Sequence, residues 1–116
     1  MITPHDLSEE LTRLCRKLDD AHADLVQRST AWAKAESEYR VSKAQAFQQV
    51  NKYPTKTTAA EREAMVYELI DRQKYERDLT ESAKVNALEL VRSLRAQLSA
   101  VQSISAAVRS ELELAR

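Results

Sequence analysis

The chain has 116 residues, with 18 Lys and Arg against 18 Asp and Glu, one cysteine and no glycine. That length allows one small domain at most, and a formal net charge of zero argues against a histone-like basic wrapper or a polybasic membrane tail. No apolar run approaches the ~18 residues that span a bilayer, and no charged-then-apolar segment reads as a secretory signal, so the expected location is the cytoplasm, without membrane contact. Richness in Ala, Glu, Arg, Leu, Lys and Gln predicts long helices.

In chain order, Thr3-Pro4-His5-Asp6 predicts a helix start. Thr3 is a cap residue, Pro4 suits the first helical position, and Asp6 returns the capping contact. From there an apolar seam keeps 4-3 spacing through Leu7, Leu11, Leu14, Leu18, Ala21, Leu25, Trp32, Ala35, Tyr39, Ala46 and Tyr53, the heptad signature of a helix packed along a partner helix. Cys15 lies beside this seam and is expected to be a small reduced filler. Pro54 forbids continuation, so helix 1 is predicted over about 4–52 and a turn over about 53–58. Thr58-Ala59-Ala60-Glu61 repeats the capping signature and opens helix 2, predicted over about 59–114. Its C-terminal half steps by four and three through Ala87, Val91, Leu94, Leu98, Val101, Ser105, Val108, Leu112 and Ala115. Carried backward, the same register reaches Lys84, Thr80, Arg77 and Gln73, which a buried interface resists. The expected resolution is a four-residue stutter onto Leu69, Leu79, Ala83 and Ala87, with local unwinding.

The predicted architecture over residues 1–116 is therefore all-α: one antiparallel two-helix coiled-coil hairpin with long helices. A hairpin has a seam but no true interior and is marginal alone. Apolar residues off the seam, Val26, Phe47, Leu90 and Ile104, are therefore candidate oligomer contacts, through which hairpins pair into a dimeric or higher helical bundle.

No catalytic, cofactor-binding or metal-binding residues are assigned. Cys15, Asp19 and His22 share one side of helix 1, but His5 is the sole further Cys or His to complete a metal shell. Glu61, Glu63, Glu68, Asp71 and Glu76, interleaved with Arg62, Arg72 and Arg77, have the spacing of exposed helix ion pairs. Without glycine there is no phosphate-cradling glycine loop, and an enzyme is not expected. Between Val85 and Ser110, Glu89 is the sole acid against Arg92, Arg95 and Arg109. With Ser99 and Gln102, these arginines form the candidate partner or nucleic-acid surface. The competing expectation is that they cover the seam and pair with helix 1 acids such as Glu10, Asp24, Glu36 or Glu38.

Two family patterns bear on these residues. Trp32 in the first helix and Tyr67-Glu68-Leu69-Ile70-Asp71 in the second suggest WXG-type secreted hairpins, but Trp32-Ala33-Lys34 lacks the glycine and lies inside the helix, and Tyr67 falls too early. Tyr39-Arg40-Val41-Ser42-Lys43-Ala44, Ala60-Glu61-Arg62-Glu63-Ala64 and Leu94-Arg95-Ala96-Gln97-Leu98-Ser99-Ala100-Val101-Gln102-Ser103 together resemble small coiled-coil proteins of tailed phages of actinobacterial or Gram-positive hosts. That resemblance implies a non-enzymatic accessory of phage DNA replication or recombination in the host cytoplasm. It would act through contacts with itself and with a phage or host protein. The alternatives are a direct DNA-binding helper of recombination, or an anti-defence protein that sequesters a nucleotide messenger or blocks a host immune complex.

Overall fold

The computed structural model describes residues 2–52 and 57–115. Among them are three helices and no strand: α1 (Pro4–Asn51), α2 (Ala59–Leu69) and α3 (Asp71–Leu114). Tyr53 and the breaker Pro54 lie outside the described residues, as does Arg116. The start of α1 is held reciprocally. The Thr3 amide donates to Asp6 Oδ2 at 3.0 Å and the Asp6 amide donates to Thr3 Oγ1 at 3.1 Å, which satisfies two donors that a helix terminus otherwise leaves unpaired. At α2, Thr58 Oγ1 accepts from the Glu61 amide at 3.1 Å.

One expectation is corrected where α2 meets α3. Helix 2 is not continuous; it is interrupted at Ile70, whose φ of −113° and ψ of 13° leave the helical region. The hydrogen-bond ladder nearly survives the interruption, because the Ile70 amide donates to the Val66 carbonyl at 3.2 Å and the Lys74 amide to the Ile70 carbonyl at 3.0 Å. Ile70 is fully buried with Val66, so packing pins the break. Asp71 follows in the first turn of α3, where the helix dipole favours a carboxylate.

The chain divides into two compact units, Met1–Val26 with Asn86–Arg116, and Gln27–Val85. In the first, Leu14, Ala21, Val91 and Leu94 form the core, and Leu18, Leu25, Leu98 and Val101 pack against it half-buried. Nearer the start of α1, Leu7 is buried and shares a groove with Pro4, Ser8, Leu11, Ser105, Val108 and Arg109. Leu112, placed on the seam by its spacing, is 52% exposed instead. Pro4 and Leu7 already face residues 105–109, and α1 begins at Pro4, so no α1 turn remains to cover a residue one turn further on.

In the second unit, Tyr39, Ala46, Val50, Val66 and Ile70 form the core. Phe47 packs half-buried against this cluster, so it is part of the unit's own packing and not a free flank. The expected stutter is absent. Leu69 and Leu79 are exposed, whereas Gln73, Arg77, Thr80 and Lys84 are all half-buried. From Val66 the 4-3 register runs through these polar residues without a skip, and it continues in the first unit from Ala87 to Val108.

This register sets the outcome of a paired substitution. Leu14, fully buried, loses transfer energy and leaves a cavity on change to alanine, so Leu14→Ala should cost about 2–5 kcal/mol in urea unfolding. Leu79→Ala, at an exposed site, should stay within about 0.5 kcal/mol. The cap gives a pH signature. The Thr3 backbone and hydroxyl hydrogen bonds hold the Asp6 carboxyl below its usual range. Its contribution is therefore complete above the unfolded carboxylate pKa and lost as pH falls through the lower folded value. In Asp6→Asn that acid-range dependence of unfolding should disappear.

Candidate functional site

The second unit solves the polar-seam problem with aromatic rings. Trp32 and Tyr39 of α1 stand opposite the polar stretch of α3, and each receives a cation. Lys84 Nζ lies 4.0 Å from the centroid of the Trp32 ring, and the Arg77 guanidinium carbon 4.1 Å from that of Tyr39. Both distances are inside the ~6 Å over which a ring's negative face attracts a cation, with each contact worth about 0.5–2 kcal/mol depending on desolvation. The aliphatic stems of Lys84 and Arg77 fill the seam while their charged heads rest on the rings. Thr80 is satisfied locally, its hydroxyl donating to the carbonyls of Glu76 at 2.8 Å and Arg77 at 2.9 Å.

Arg77 is also fixed from its other side. It donates to Asp78 Oδ1 from Nε at 3.2 Å and from Nη2 at 3.0 Å, and its Nε lies 3.8 Å from Glu36 Oε2. Its hydrogen bonds to Asp78, and after them the negative charges of Asp78 and Glu36, favour its charged form. Glu36 accepts from Arg40 Nε at 2.9 Å as well. The arrangement is not fully satisfied: Trp32 Nε1, Arg62 Nε and Gln73 Oε1 are buried without a hydrogen-bond partner, each at a cost of about 1–3 kcal/mol. This is the stretch of the seam where stability is given up.

Around the exposed Tyr67 two more cations gather. Lys43 Nζ and Lys74 Nζ are each 5.6 Å from its ring centroid, and Lys43 Nζ is also 5.8 Å from that of Tyr39. The remaining Arg-carboxylate spacings of this region act as exposed helix pairs, Arg72 donating to Glu76 Oε1 at 3.4 Å.

The first unit holds the arginines singled out by sequence. Arg92, Arg95, Ser99, Gln102 and Arg109 are all exposed on α3. Arg92 pairs with Glu89 of its own helix at 2.9 Å, and Arg95 Nη2 lies 3.0 Å from His22 Nε2 of α1. Neither has its ion pair with an α1 acid. Glu10 is engaged with Arg13, which holds its carboxyl low. Cys15 is exposed and free, which corrects its reading as a filler. Among the described residues no group of three His, Cys, Asp or Glu is placed to hold a metal. Val26, Leu90 and Ile104 are exposed.

Sequence reasoning missed Lys43, Tyr67, Lys74 and Lys84. A signal for the first was available: from Tyr39 to Ala60 the chain has no Asp or Glu but carries Arg40, Lys43, Lys52 and Lys56. The ring contacts had no such signal, since they require knowing that the register does not slip.

If Arg77 acts through the Tyr39 ring, a double-mutant cycle of Tyr39→Leu with Arg77→Met, read by thermal and urea unfolding, should return a coupling of about 0.5–2 kcal/mol. Arg77→Lys should recover only part of it, since an ammonium lacks the planar face that stacks.

Compared with known proteins, the chain matches no family model, no curated sequence and no solved structure.

Proposed function

We propose that this chain is a non-enzymatic contact protein, an antiparallel coiled-coil hairpin that pairs with a second copy of itself and presents the resulting bundle to another protein. The observation that carries this reading is a second 4-3 row on α3, beside the buried one. Leu90, Ser93, Gln97, Ala100, Ile104 and Ala107 repeat at coiled-coil spacing; none is charged and all are exposed. Flanking positions of a two-stranded coiled coil are ordinarily Glu or Lys, so an uncharged flank this long matches a second helix contact better than a solvated face.

The row is complementary to itself. Laid antiparallel about a two-fold axis between Gln97 and Ala100, it sets Leu90 against Ala107, Ile104 against Ser93 and Gln97 against Ala100. A small side chain meets a larger one in every pair, the pattern that lets two helices approach closely and interdigitate. A contact of this kind is isologous and closes at two copies. Beside it, Lys17, Asp20 and Asp24 of α1 border the groove containing Leu90, Leu94 and Gln97, a rim carrying both signs of charge.

The resemblance to tailed-phage coiled-coil proteins supplies the setting: an accessory of phage DNA replication or recombination in the host cytoplasm, working through protein contacts. Native mass measurement over a concentration series should give twice the 13.2 kDa chain. The double variant Leu90→Glu with Ile104→Glu should be a monomer with unchanged helical circular dichroism, and Leu112→Glu should remain a dimer. A 13.2 kDa species at every concentration overturns the self-association. Affinity purification from infected cells with and without nuclease tests the rest, a stoichiometric protein that survives nuclease being the expected result.

A further inference from the structure

In the second unit Arg40 finds a carboxylate on Glu36, Arg72 on Glu76, and Arg77 on Asp78 and Glu36. Lys43 and Lys74 do not. Among the described residues neither has a carboxylate at ion-pair distance, and instead both ammonium groups sit 5.6 Å from the centroid of one ring, that of Tyr67. Two like charges are thereby held no more than about 11 Å apart, since each lies 5.6 Å from the same point. The ring's negative face offsets part of their repulsion; a bound anion would offset the remainder.

The surroundings favour an anion with many charges. Lys43 belongs to the acid-free stretch from Tyr39 to Ala60, and the unit as a whole carries eleven Lys and Arg against nine Asp and Glu. The unit that holds Arg92, Arg95 and Arg109 has the opposite balance, seven against nine, and two of those three arginines are already engaged. Glu68 and Asp71 flank the cluster in sequence but bond to neither lysine.

We infer that Lys43, Tyr67 and Lys74 form a binding site for single-stranded nucleic acid, with the two lysines on phosphates of the strand and Tyr67 meeting a base. Both ammonium groups lie over the exposed ring, so moving them onto phosphates frees its face for a base, and the cluster then offers what such a strand requires: charge for the backbone and a flat apolar face for stacking. A single strand fits better than a duplex because only its bases are free to leave the stack and reach Tyr67. The site lies outside the Leu90–Ala107 row, so it stands or falls independently of self-association.

The test is fluorescence anisotropy of a labelled oligo-thymidine strand titrated with the full chain over a series of salt concentrations. Binding should weaken steeply with salt. In Lys43→Gln with Lys74→Gln, the slope of log affinity against log salt should become shallower by about 1.4, roughly 0.7 for each phosphate contact on a single strand. Tyr67→Leu should weaken binding by about fivefold or more with the slope unchanged, because it removes stacking and not charge, and Tyr67→Phe should restore it. Arg92→Gln with Arg95→Gln should leave the affinity within about twofold, as expected of surface cations outside the site. Circular dichroism of each variant confirms that it is folded; Lys74 is exposed and Lys43 half-buried, so their substitution leaves both cores intact. The inference is overturned by no binding at low salt, by an unchanged slope in the lysine double variant, or by equal affinity for a duplex of the same length or for polyglutamate.

Discussion

Everything in this molecule depends on one row of side chains per helix. In each unit α1 is covered on a single stripe, and the structure keeps that stripe in one 4-3 register even where the residues offered to it are polar. The reason is geometric. A stutter exchanges one set of facing side chains for another one helical step round, and to bury Leu69 and Leu79 it would have to release the upstream register that buries Val66 and Ile70. Two exposed leucines cost little, since singly exposed apolar residues are ordinary on protein surfaces, whereas lifting the fully buried Val66 and Ile70 into water forgoes roughly 1.5–3 kcal/mol each. The polar residues follow because this fully buried pair sets the register.

Keeping that register makes the aromatic residues of α1 necessary. Arg77 and Lys84 are tolerated because Tyr39 and Trp32 stand where they fall, offering faces that accept a cation without the desolvation that a buried carboxylate would suffer. The compromise leaves a trace in the unpaired Trp32 Nε1 and Gln73 Oε1. The interruption at Ile70 lies one turn before the polar stretch, where a fully buried isoleucine fixes the chain while α3 begins afresh on Asp71.

Much of this was legible in the residues. Thr3 with Asp6, and Thr58 with Glu61, announce helix starts through local chemistry that needs no tertiary knowledge, and the leucines of α1 declare their face by spacing alone. The reasoning failed where it judged each residue by its polarity. Arg77 and Lys84 look foreign to a seam until the rings opposite them are known, and that pairing is non-local. Leu112 failed for a related reason: periodicity says which face a residue is on, but burial needs a partner turn, and among the described residues none stands opposite it. Cys15 likewise sits beside the seam without being under it. Of the candidate surfaces, the arginines of α3 were readable as a basic run, yet their engagement by Glu89 and His22 was not, and the Lys43–Tyr67–Lys74 grouping joins residues from two helices that no local pattern connects.

The zero net charge of the chain conceals a division that bears on both proposed surfaces. The unit with the uncharged Leu90–Ala107 row has an excess of two acids, and the unit with the unpaired lysines an excess of two bases. An uncharged row bordered by mixed charge gains little from attracting polyanions, and the association proposed there would depend on shape. The lysine cluster has the reverse character: among the described residues its ammonium groups have no carboxylate partner and lie over the Tyr67 ring, and the binding proposed there would be set by salt. The two proposed contacts use different residues, so each is tested by its own variable, concentration for self-association and ionic strength for strand binding. Neither proposed contact draws on the other's residues.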